Sequence, residues 1–173
     1  MMKKTISILM LAASISFVTS ANASRFNYDY GDVSYGVAGG DADINGNGNI
    51  EIAASHEIKP NMNLIGSYAT DRTLNVFHAG VGMHKSIKHG TDALASIKYV
   101  NNNINGSGYG VSAGLRHDFS NDFEGEVSID FVDVEVSTTR IKAGSRYHFS
   151  REMSAGLGVD DSGSLTFNLR MSY

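Results

Sequence analysis

Apolar and polar residues alternate along most of the sequence, and the C-terminal segment shows the pattern most clearly. From Leu165 to Tyr173, each odd-numbered residue is apolar and each even-numbered residue is polar. Similar alternation occurs over 109–116, 125–131 and 140–149. Successive side chains of a β-strand point to opposite faces, so each segment is predicted to form a strand with one apolar and one polar face. Such a chain is restricted to folds in which almost every strand is amphipathic.

The composition excludes several classes of protein. The chain has 173 residues, of which 19 are glycine, one is proline and none is cysteine. Without cysteine there is no disulfide scaffold, no thiolate metal site and no thiol nucleophile. Hydrophobic residues make up 42% and charged residues 18% of the chain, a balance that excludes a disordered chain. The formal net charge of −4 disfavours nucleic acid as a partner.

The N-terminus has the pattern of a secretory signal peptide. Lys3 and Lys4 precede an apolar run from Ile6 to Val18, and Ala21-Asn22-Ala23 forms a cleavage site of the A-x-A type. The apolar run is shorter than the ~20 residues that a membrane-spanning helix needs. We therefore predict that residues 1–23 are a cleaved signal peptide and that residues 24–173 form one exported domain.

Four short turns resemble one another and divide the chain. Each follows an apolar residue, and these residues (Ile58, Ile87, Phe119 and Phe149) recur about every 30 residues, the length of one hairpin and its return. Longer polar segments lie between them, over 38–49, 70–74, 101–108, 133–138 and 160–163. The predicted strands are 26–37, 50–58, 62–70, 75–87, 92–100, 109–119, 123–132, 139–149, 153–159 and 164–173. We expect an all-β transmembrane antiparallel up-and-down barrel of about ten strands, with eight as the alternative, and with short turns at one end and longer loops at the other.

The charged residues fall on the polar faces of the predicted strands. In a membrane barrel these faces line the lumen, where unpaired charges are costly. If the hairpin between the seventh and eighth strands turns near residue 135, Asp130 lies opposite Arg140 and Glu124 opposite Arg146. We predict a lumen charge network that contains Arg116, Glu124, Glu126, Asp130, Arg140, Lys142, Arg146 and Arg170. In a soluble secreted β-sandwich, which is the alternative, the same residues would form solvent-exposed pairs.

Aromatic residues cluster near the predicted strand ends, where the interfacial girdles of a membrane barrel lie. Phe119, Tyr147, Phe149 and Tyr173 are predicted at the periplasmic end. The residues predicted nearer the outer end are Tyr28, Tyr30, Phe77, Tyr99, Tyr109 and Phe131.

Five segments carry a resemblance to a known family: Phe26–Gly31, Ile65–Tyr68, Ala79–Gly82, Gly108–Arg116 and Leu169–Tyr173. On these segments the chain resembles the small outer-membrane β-barrel proteins of Gram-negative bacteria. The resemblance implies location in the outer membrane, with Leu169, Met171 and Tyr173 as the signal that the barrel assembly machinery recognises, although that signal usually ends in Phe. It also implies outer-membrane lipid, the assembly machinery and periplasmic chaperones as partners, and it brings no catalytic residues. We expect the barrel to be a monomer.

One segment resembles a calcium loop. Asp41, Asp43, Asn45 and Glu51 lie in a D-x-D-x-N-G sequence like the start of an EF-hand, but the acid comes one position early and strands rather than helices are predicted around it. A flexible polar surface loop explains the same residues. We predict no metal site and no cofactor here, and keep these four residues as a weak calcium candidate.

Residues for catalysis are sparse. Near the predicted outer rim lie His78 and a set of acids: Asp130, Asp133, Glu135, Asp160 and Asp161. No Ser-His-acid set has a recognisable spacing, although such sets are defined by geometry rather than order. The histidines near the other rim (His56, His84, His89, His117 and His148) are interpreted as polar interfacial residues.

These observations favour a non-catalytic integral outer-membrane barrel with a structural or surface-exposed role. A narrow, porin-like pore for ions or small solutes is the nearest alternative, although side chains largely fill the lumen of a barrel this small and its mixed charges favour a plug. An enzyme acting at the outer rim is a further alternative.

Overall fold

The computed structural model describes residues 26–37, 48–71 and 73–173. The predicted signal peptide (1–23) lies outside these residues. Ten antiparallel strands account for most of the described chain: β1 Tyr30–Val37, β2 Gly48–Lys59, β3 Met62–Asp71, β4 Leu74–Lys88, β5 Thr91–Asn102, β6 Gly106–Ser120, β7 Phe123–Val134, β8 Val136–His148, β9 Met153–Asp160 and β10 Leu165–Ser172.

The strands form a closed up-and-down barrel. Each strand pairs with its neighbours in sequence, and β1 closes the barrel by pairing with β10 from Tyr30↔Ser172 to Val37↔Leu165. The prediction of a ten-stranded closed barrel is confirmed, and the eight-stranded alternative is wrong. Because the strand number is even, the start of β1 and the end of β10 lie at the same end, which we call the terminal end. The opposite end is the loop end.

The prediction of longer loops at the loop end is wrong for most of the described connections. The segment 101–108 is largely strand, so that only 103–105 joins β5 to β6. The segment 133–138 is also strand except for Glu135, which turns the chain with a left-handed φ of 56°. The polar composition of these segments belongs to strands that extend past the apolar belt rather than to loops.

Apolar side chains point outward. The described residues include many exposed large apolar side chains, such as Leu169 at 61%, and only three buried hydrophobic ones: Tyr28, Val100 and Val134. Most of the buried side chains are instead polar, among them Asp32, Asp92 and Arg116. A soluble β-sandwich buries its apolar faces, so this inverted distribution contradicts that alternative. Among the described residues, no helix is long and apolar enough to cross a membrane.

The aromatic residues predicted nearer the outer end are confirmed in part. Phe77, Tyr99, Tyr109 and Phe131 lie towards the loop end, where the Tyr109 and Phe131 ring centroids are 6.2 Å apart. Tyr28 and Tyr30 were predicted near that end, but both lie at the terminal end. The reason is that β1 runs from the terminal end towards the loop end, so the residues at and before its start lie at the terminal end.

Close approach of two strands requires glycine inside the barrel. A Cβ atom on Gly80 of β4 would lie 2.1 Å from the carbonyl oxygen of Ile97 and 2.8 Å from Cα of Lys98 on β5. No side chain fits there without moving backbone.

Candidate functional site

A continuous chain of ion pairs crosses the lumen near the terminal end. It consists of Asp32, Arg116, Glu124, Glu126, Arg146 and Arg170, and we call it the septum. The Arg116 guanidinium contacts Glu126 at 3.0 Å and Glu124 at 3.9 Å. Glu124 also contacts Arg146 at 3.3 Å. Asp32 accepts from Arg146 at 3.5 Å and from Arg170 at 3.2 Å. Charges on β1, β6, β7, β8 and β10 are thus joined into one layer.

The strand register explains part of the septum. Glu124 lies opposite Arg146 on β7 and β8, as predicted, and the two side chains form an ion pair. Asp130 lies opposite Arg140, also as predicted, but these side chains do not pair with each other. Asp130 contacts Lys142 at 3.0 Å and Lys98 at 3.8 Å, whereas Arg140 contacts Asp160 at 3.4 Å. Long side chains reach diagonal neighbours, so register alone does not choose the partner.

Asp32 is the septum residue that sequence reasoning missed. It lies on the polar face of β1, directly opposite Arg170 of β10. The sequence does indicate that Asp32 faces the lumen, because the polar Asp32 and Ser34 alternate with the apolar Val33 and Tyr35. Its importance depends on barrel closure, which brings the first strand beside the last.

Burial makes pairing necessary at the septum. Arg116 is 4% exposed, and Asp32, Glu124 and Arg146 are also buried. Removing a charge from water costs several kcal/mol, and close opposite charges must offset that cost. Each of these four residues contacts two charged groups of opposite sign. The septum is therefore a self-compensated layer with little tolerance for losing one member.

The N-terminal segment Phe26–Asp29 folds into the mouth of the barrel beneath the septum. The Phe26 and Tyr28 rings each lie 5.3 Å from the Arg116 guanidinium carbon, within range of a cation–π contact. Tyr28 also stacks on His84 at 3.5 Å and donates a hydrogen bond of 2.8 Å to Asp92. Burial raises the pKa of Tyr28 well above its usual range, and the nearby Asp92 carboxylate raises it further. The phenol therefore remains a hydrogen-bond donor.

Two cavities flank the septum. The upper cavity, on the loop-end side of the septum, has a volume of about 250 Å³ and is lined by Lys142, Arg146 and Asn168 among others. The lower cavity, at the terminal end, has a volume of about 420 Å³ and is lined by Phe26, Arg116 and His148 among others. Glu124 and Arg170 line both cavities. A single layer of side chains thus separates two spaces within the lumen.

Comparison with solved structures gives the same architecture. A KdgM porin aligns with a TM-score of 0.61 and 8% sequence identity, covering 83% of this chain and 99% of that one. A NanC porin aligns with a TM-score of 0.54 and 11% identity, covering 83% and 98%. The chain has the fold of the outer-membrane β-barrel proteins. At these identities the likeness concerns the fold. No protein-family model and no curated protein matches the sequence.

Within this outer-membrane barrel fold, the remaining predicted charges lie between the septum and the loop end. Lys98, Asp130 and Lys142 pair across β5, β7 and β8, and Arg140 pairs with Asp160 nearer the loop end. The side chains of Lys142 and Arg140 are each 52% exposed. The ion pairs among the described residues thus place the eight predicted charges in three sets rather than one network: the septum, the Lys98–Asp130–Lys142 cluster and the Arg140–Asp160 pair.

The histidines do not behave as a single interfacial set. His84 is 3% exposed in the lumen, 3.7 Å from Glu57, and His148 lies 3.3 Å from Glu124. His56 is exposed and pairs with Asp29. The interfacial interpretation is wrong for His84, because it lies on the inward face of β4. Among the described residues, no group of three or more His, Asp or Glu side chains has the geometry to hold a metal ion.

The structure adds little support for a catalytic site at the outer rim or for a calcium site. Ser67 Oγ lies 3.1 Å from His78 Nδ1, but none of the ion pairs among the described residues joins His78 to a carboxylate that would orient it for nucleophilic catalysis. Of the calcium candidates, Asp41, Asp43 and Asn45 lie outside the described residues. Glu51 lies on β2 and lines the upper cavity.

Proposed function

We propose that this protein is a non-catalytic integral outer-membrane barrel that forms a narrow pore for ions or small polar solutes, closed at rest by the septum. The observation that carries the proposal is the pair of cavities divided by one layer of side chains, with Glu124 and Arg170 exposed to both. The likeness to two porins supports a pore over a purely structural role at the level of fold.

The septum side chains can act as a movable barrier because they change rotamer without disturbing the sheet. Arginine has several acceptors within reach here: Arg146 faces both Asp32 and Glu124. An exchange of partners would open a path while every charge stays paired, which limits the cost of opening. Rotamer changes are fast relative to backbone rearrangement.

The expected solutes are small. A barrel of about ten strands lies near the size at which side chains fill the interior. Charges of both signs line the upper cavity, including Glu51, Asp160, Lys142 and Arg170. This lining favours water, ions and small polar solutes over large or apolar ones.

The location and assembly route belong to the same proposal. Residues 1–23 would direct export and then be removed. Leu169, Met171 and Tyr173 point outward at the end of the chain, with Tyr173 69% exposed, where the assembly machinery could bind them. The terminal end would face the periplasm, and the barrel would be a monomer in outer-membrane lipid.

Planar-bilayer recording of the purified full-length mature protein tests the pore. We expect rare, small conductance steps from the wild-type protein and several-fold larger or longer openings from Arg146→Ser, which removes the central side chain of the septum. Arg140→Ser is the matched control, because Arg140 is half exposed and lies outside the septum. Absence of steps from all three proteins would overturn the pore.

A structural barrel is the second candidate. The N-terminal segment beneath the septum favours it, since Phe26 and Tyr28 add a second obstruction at the terminal end. If no variant conducts, while the protein fractionates with outer membranes and changes gel mobility on heating, the structural role is the one supported. Fractionation with soluble periplasmic protein would contradict both candidates.

A further inference from the structure

The first half of β8 extends past its neighbour at the loop end. Pairing between β8 and β9 begins only at Lys142↔Asp160, whereas β8 starts at Val136. On its other side β8 pairs with β7 without interruption from Val134↔Val136 to Phe123↔Tyr147. The segment Val136–Ile141 is thus the outer strand of a hairpin, with no other strand beside it among the described residues. We call this segment the free edge.

The backbone geometry identifies the hydrogen-bonding groups that the free edge presents. The Asp161 N–H donates to the Ile141 carbonyl oxygen at 3.0 Å, so the polar backbone groups of Ile141 point towards the β9 side. In a strand, the N–H and C=O groups of alternate residues point to the same side. The backbone groups of Thr139 and Ser137 therefore also point to the β9 side, where β9 no longer extends.

The free edge is accessible and lies above the apolar belt. Every residue from Glu135 to Ala143 is exposed, and Val136 is 73% exposed. Along the outward face of β8 the last large apolar residue is Ile141, followed towards the tip by Thr139 and Ser137. The free edge therefore extends into water rather than into the surrounding apolar layer.

The sequence of the free edge lacks the usual protection of an exposed strand. Proteins normally blunt such edges with proline, bulges or several charges. Val136–Ile141 contains no proline or glycine, no register shift, and one charged residue, Arg140, which already pairs with Asp160. A regular edge whose single charge is already paired is a geometry that accepts an added strand.

We propose that the free edge binds an extended, basic peptide segment of another protein, which adds to the barrel wall as a further strand. The basic character follows from the exposed acids at the two ends of the edge, Glu135 at the tip and Asp161 beside Ile141. Cationic residues about six positions apart would face both, and the intervening backbone would pair with Ser137 and Thr139. This binding is independent of whether the lumen conducts.

A second copy of the chain in the same membrane is a poor occupant. Two copies with the same orientation present β8 in the same direction along the membrane normal, so their edges cannot form an antiparallel pair about a two-fold axis normal to the membrane. A strand from a separate, flexible segment has no such restriction.

The proposal is tested with the full mature protein in lipid nanodiscs and the peptide acetyl-Lys-Thr-Val-Thr-Val-Thr-Lys-amide. In the free protein, the Ser137 and Thr139 amides should exchange rapidly with solvent, and added peptide should slow both. Thr139→Pro removes one edge donor without touching the ladder to β7, so it should weaken peptide binding about tenfold relative to Thr139→Ala, the value of one lost hydrogen bond. A peptide with Glu in place of both Lys residues should bind the wild-type protein more weakly than the Lys peptide does.

Three results would overturn the proposal. Slow exchange of Ser137 and Thr139 in the free protein would mean that the edge is already covered. Equal peptide affinity of the Thr139→Pro and Thr139→Ala variants would mean that the backbone does not form the contact. Equal binding to empty nanodiscs would assign the signal to lipid. The exchange measurement on the wild-type protein remains decisive if the proline variant folds poorly.

Discussion

Arg146 of β8 reaches Asp32 of β1 across two intervening strands, with its Nη2 atom 3.5 Å from Asp32 Oδ2. Opposite Arg146 on β9 lies Gly156, which has no side chain to block the approach. The contact joins the third-from-last strand to the first, so it exists only when the barrel is closed. Septum formation and barrel closure are therefore coupled.

Removing the Asp32 carboxylate should weaken the closed barrel. Asp32→Asn leaves the buried Arg146 and the partly buried Arg170 without their shared carboxylate, and we expect a loss of about 3 kcal/mol in the free energy of unfolding. Urea denaturation in detergent, followed by heat-dependent gel mobility, measures it. Glu152→Gln, in an exposed turn at the same end, should change stability by less than about 0.5 kcal/mol. Similar urea midpoints for the two variants would refute the septum's structural role.

Substitutions at Tyr28 should separate its hydrogen bond from its ring. Tyr28→Phe loses the donor to Asp92 and should cost about 1 kcal/mol. Tyr28→Ala also loses the ring that stacks on His84 and lies over Arg116, and should cost about 3 kcal/mol or more. Both values come from urea denaturation of the folded barrel. If the two variants are equally stable, the ring contributes nothing and the docked N-terminal segment is not a stabilising element.

Alkaline pH should destabilise the wild-type protein through Tyr28. Burial raises its pKa in the folded state, whereas in the unfolded chain a tyrosine ionises near pH 10. The stability gained by keeping the phenol neutral is complete below about pH 10, and it declines above that pH because only the unfolded state releases the proton. The free energy of unfolding should therefore fall more steeply between about pH 10 and 11.5 for the wild-type protein than for Tyr28→Phe. Parallel pH profiles would contradict the assignment.

Two inward-facing glycines should respond differently to a methyl group. Gly80→Ala forces a contact with the Ile97 carbonyl oxygen and should prevent or strongly impair folding. Gly110→Ala is the matched control, because its nearest contact would be 3.4 Å, to Val100. The yield of heat-modifiable barrel after refolding into detergent compares them. Normal folding of Gly80→Ala would show that β4 and β5 can separate at this point.

The C-terminal aromatic residue should matter for assembly in cells more than for stability. Tyr173 is largely exposed, so Tyr173→Ala should reduce the amount of protein in the outer membrane several-fold while leaving refolding of purified protein in detergent nearly unchanged. Tyr173→Phe keeps the ring and should behave like the wild type. Fractionation of Gram-negative cells with quantitative blotting measures the first effect. An equal loss in cells and in detergent would make Tyr173 a structural residue instead.

The local alternation of apolar and polar residues determined most of the secondary structure of this protein. Alternation of side chains with a period of two gave ten amphipathic strands, because each side chain's face follows from its position alone. The register Glu124↔Arg146 followed from the same counting once a turn was located near residue 135. Loop lengths were overestimated because polar composition marks contact with water, which strand extensions above the belt share with loops.

The arrangement of the lumen required the tertiary structure. The partners of Arg140 and Asp130, the docking of Tyr28 beneath Arg116, and the bridging position of Asp32 all depend on distances between strands far apart in sequence. The sequence by itself determined which face of each strand is apolar, and the structure decided that these faces form the exterior of a closed barrel rather than the interior of a sandwich. Only closure of the barrel decided which buried charges meet, because the choice among several long, flexible ionic side chains depends on three-dimensional distance rather than on spacing along the chain.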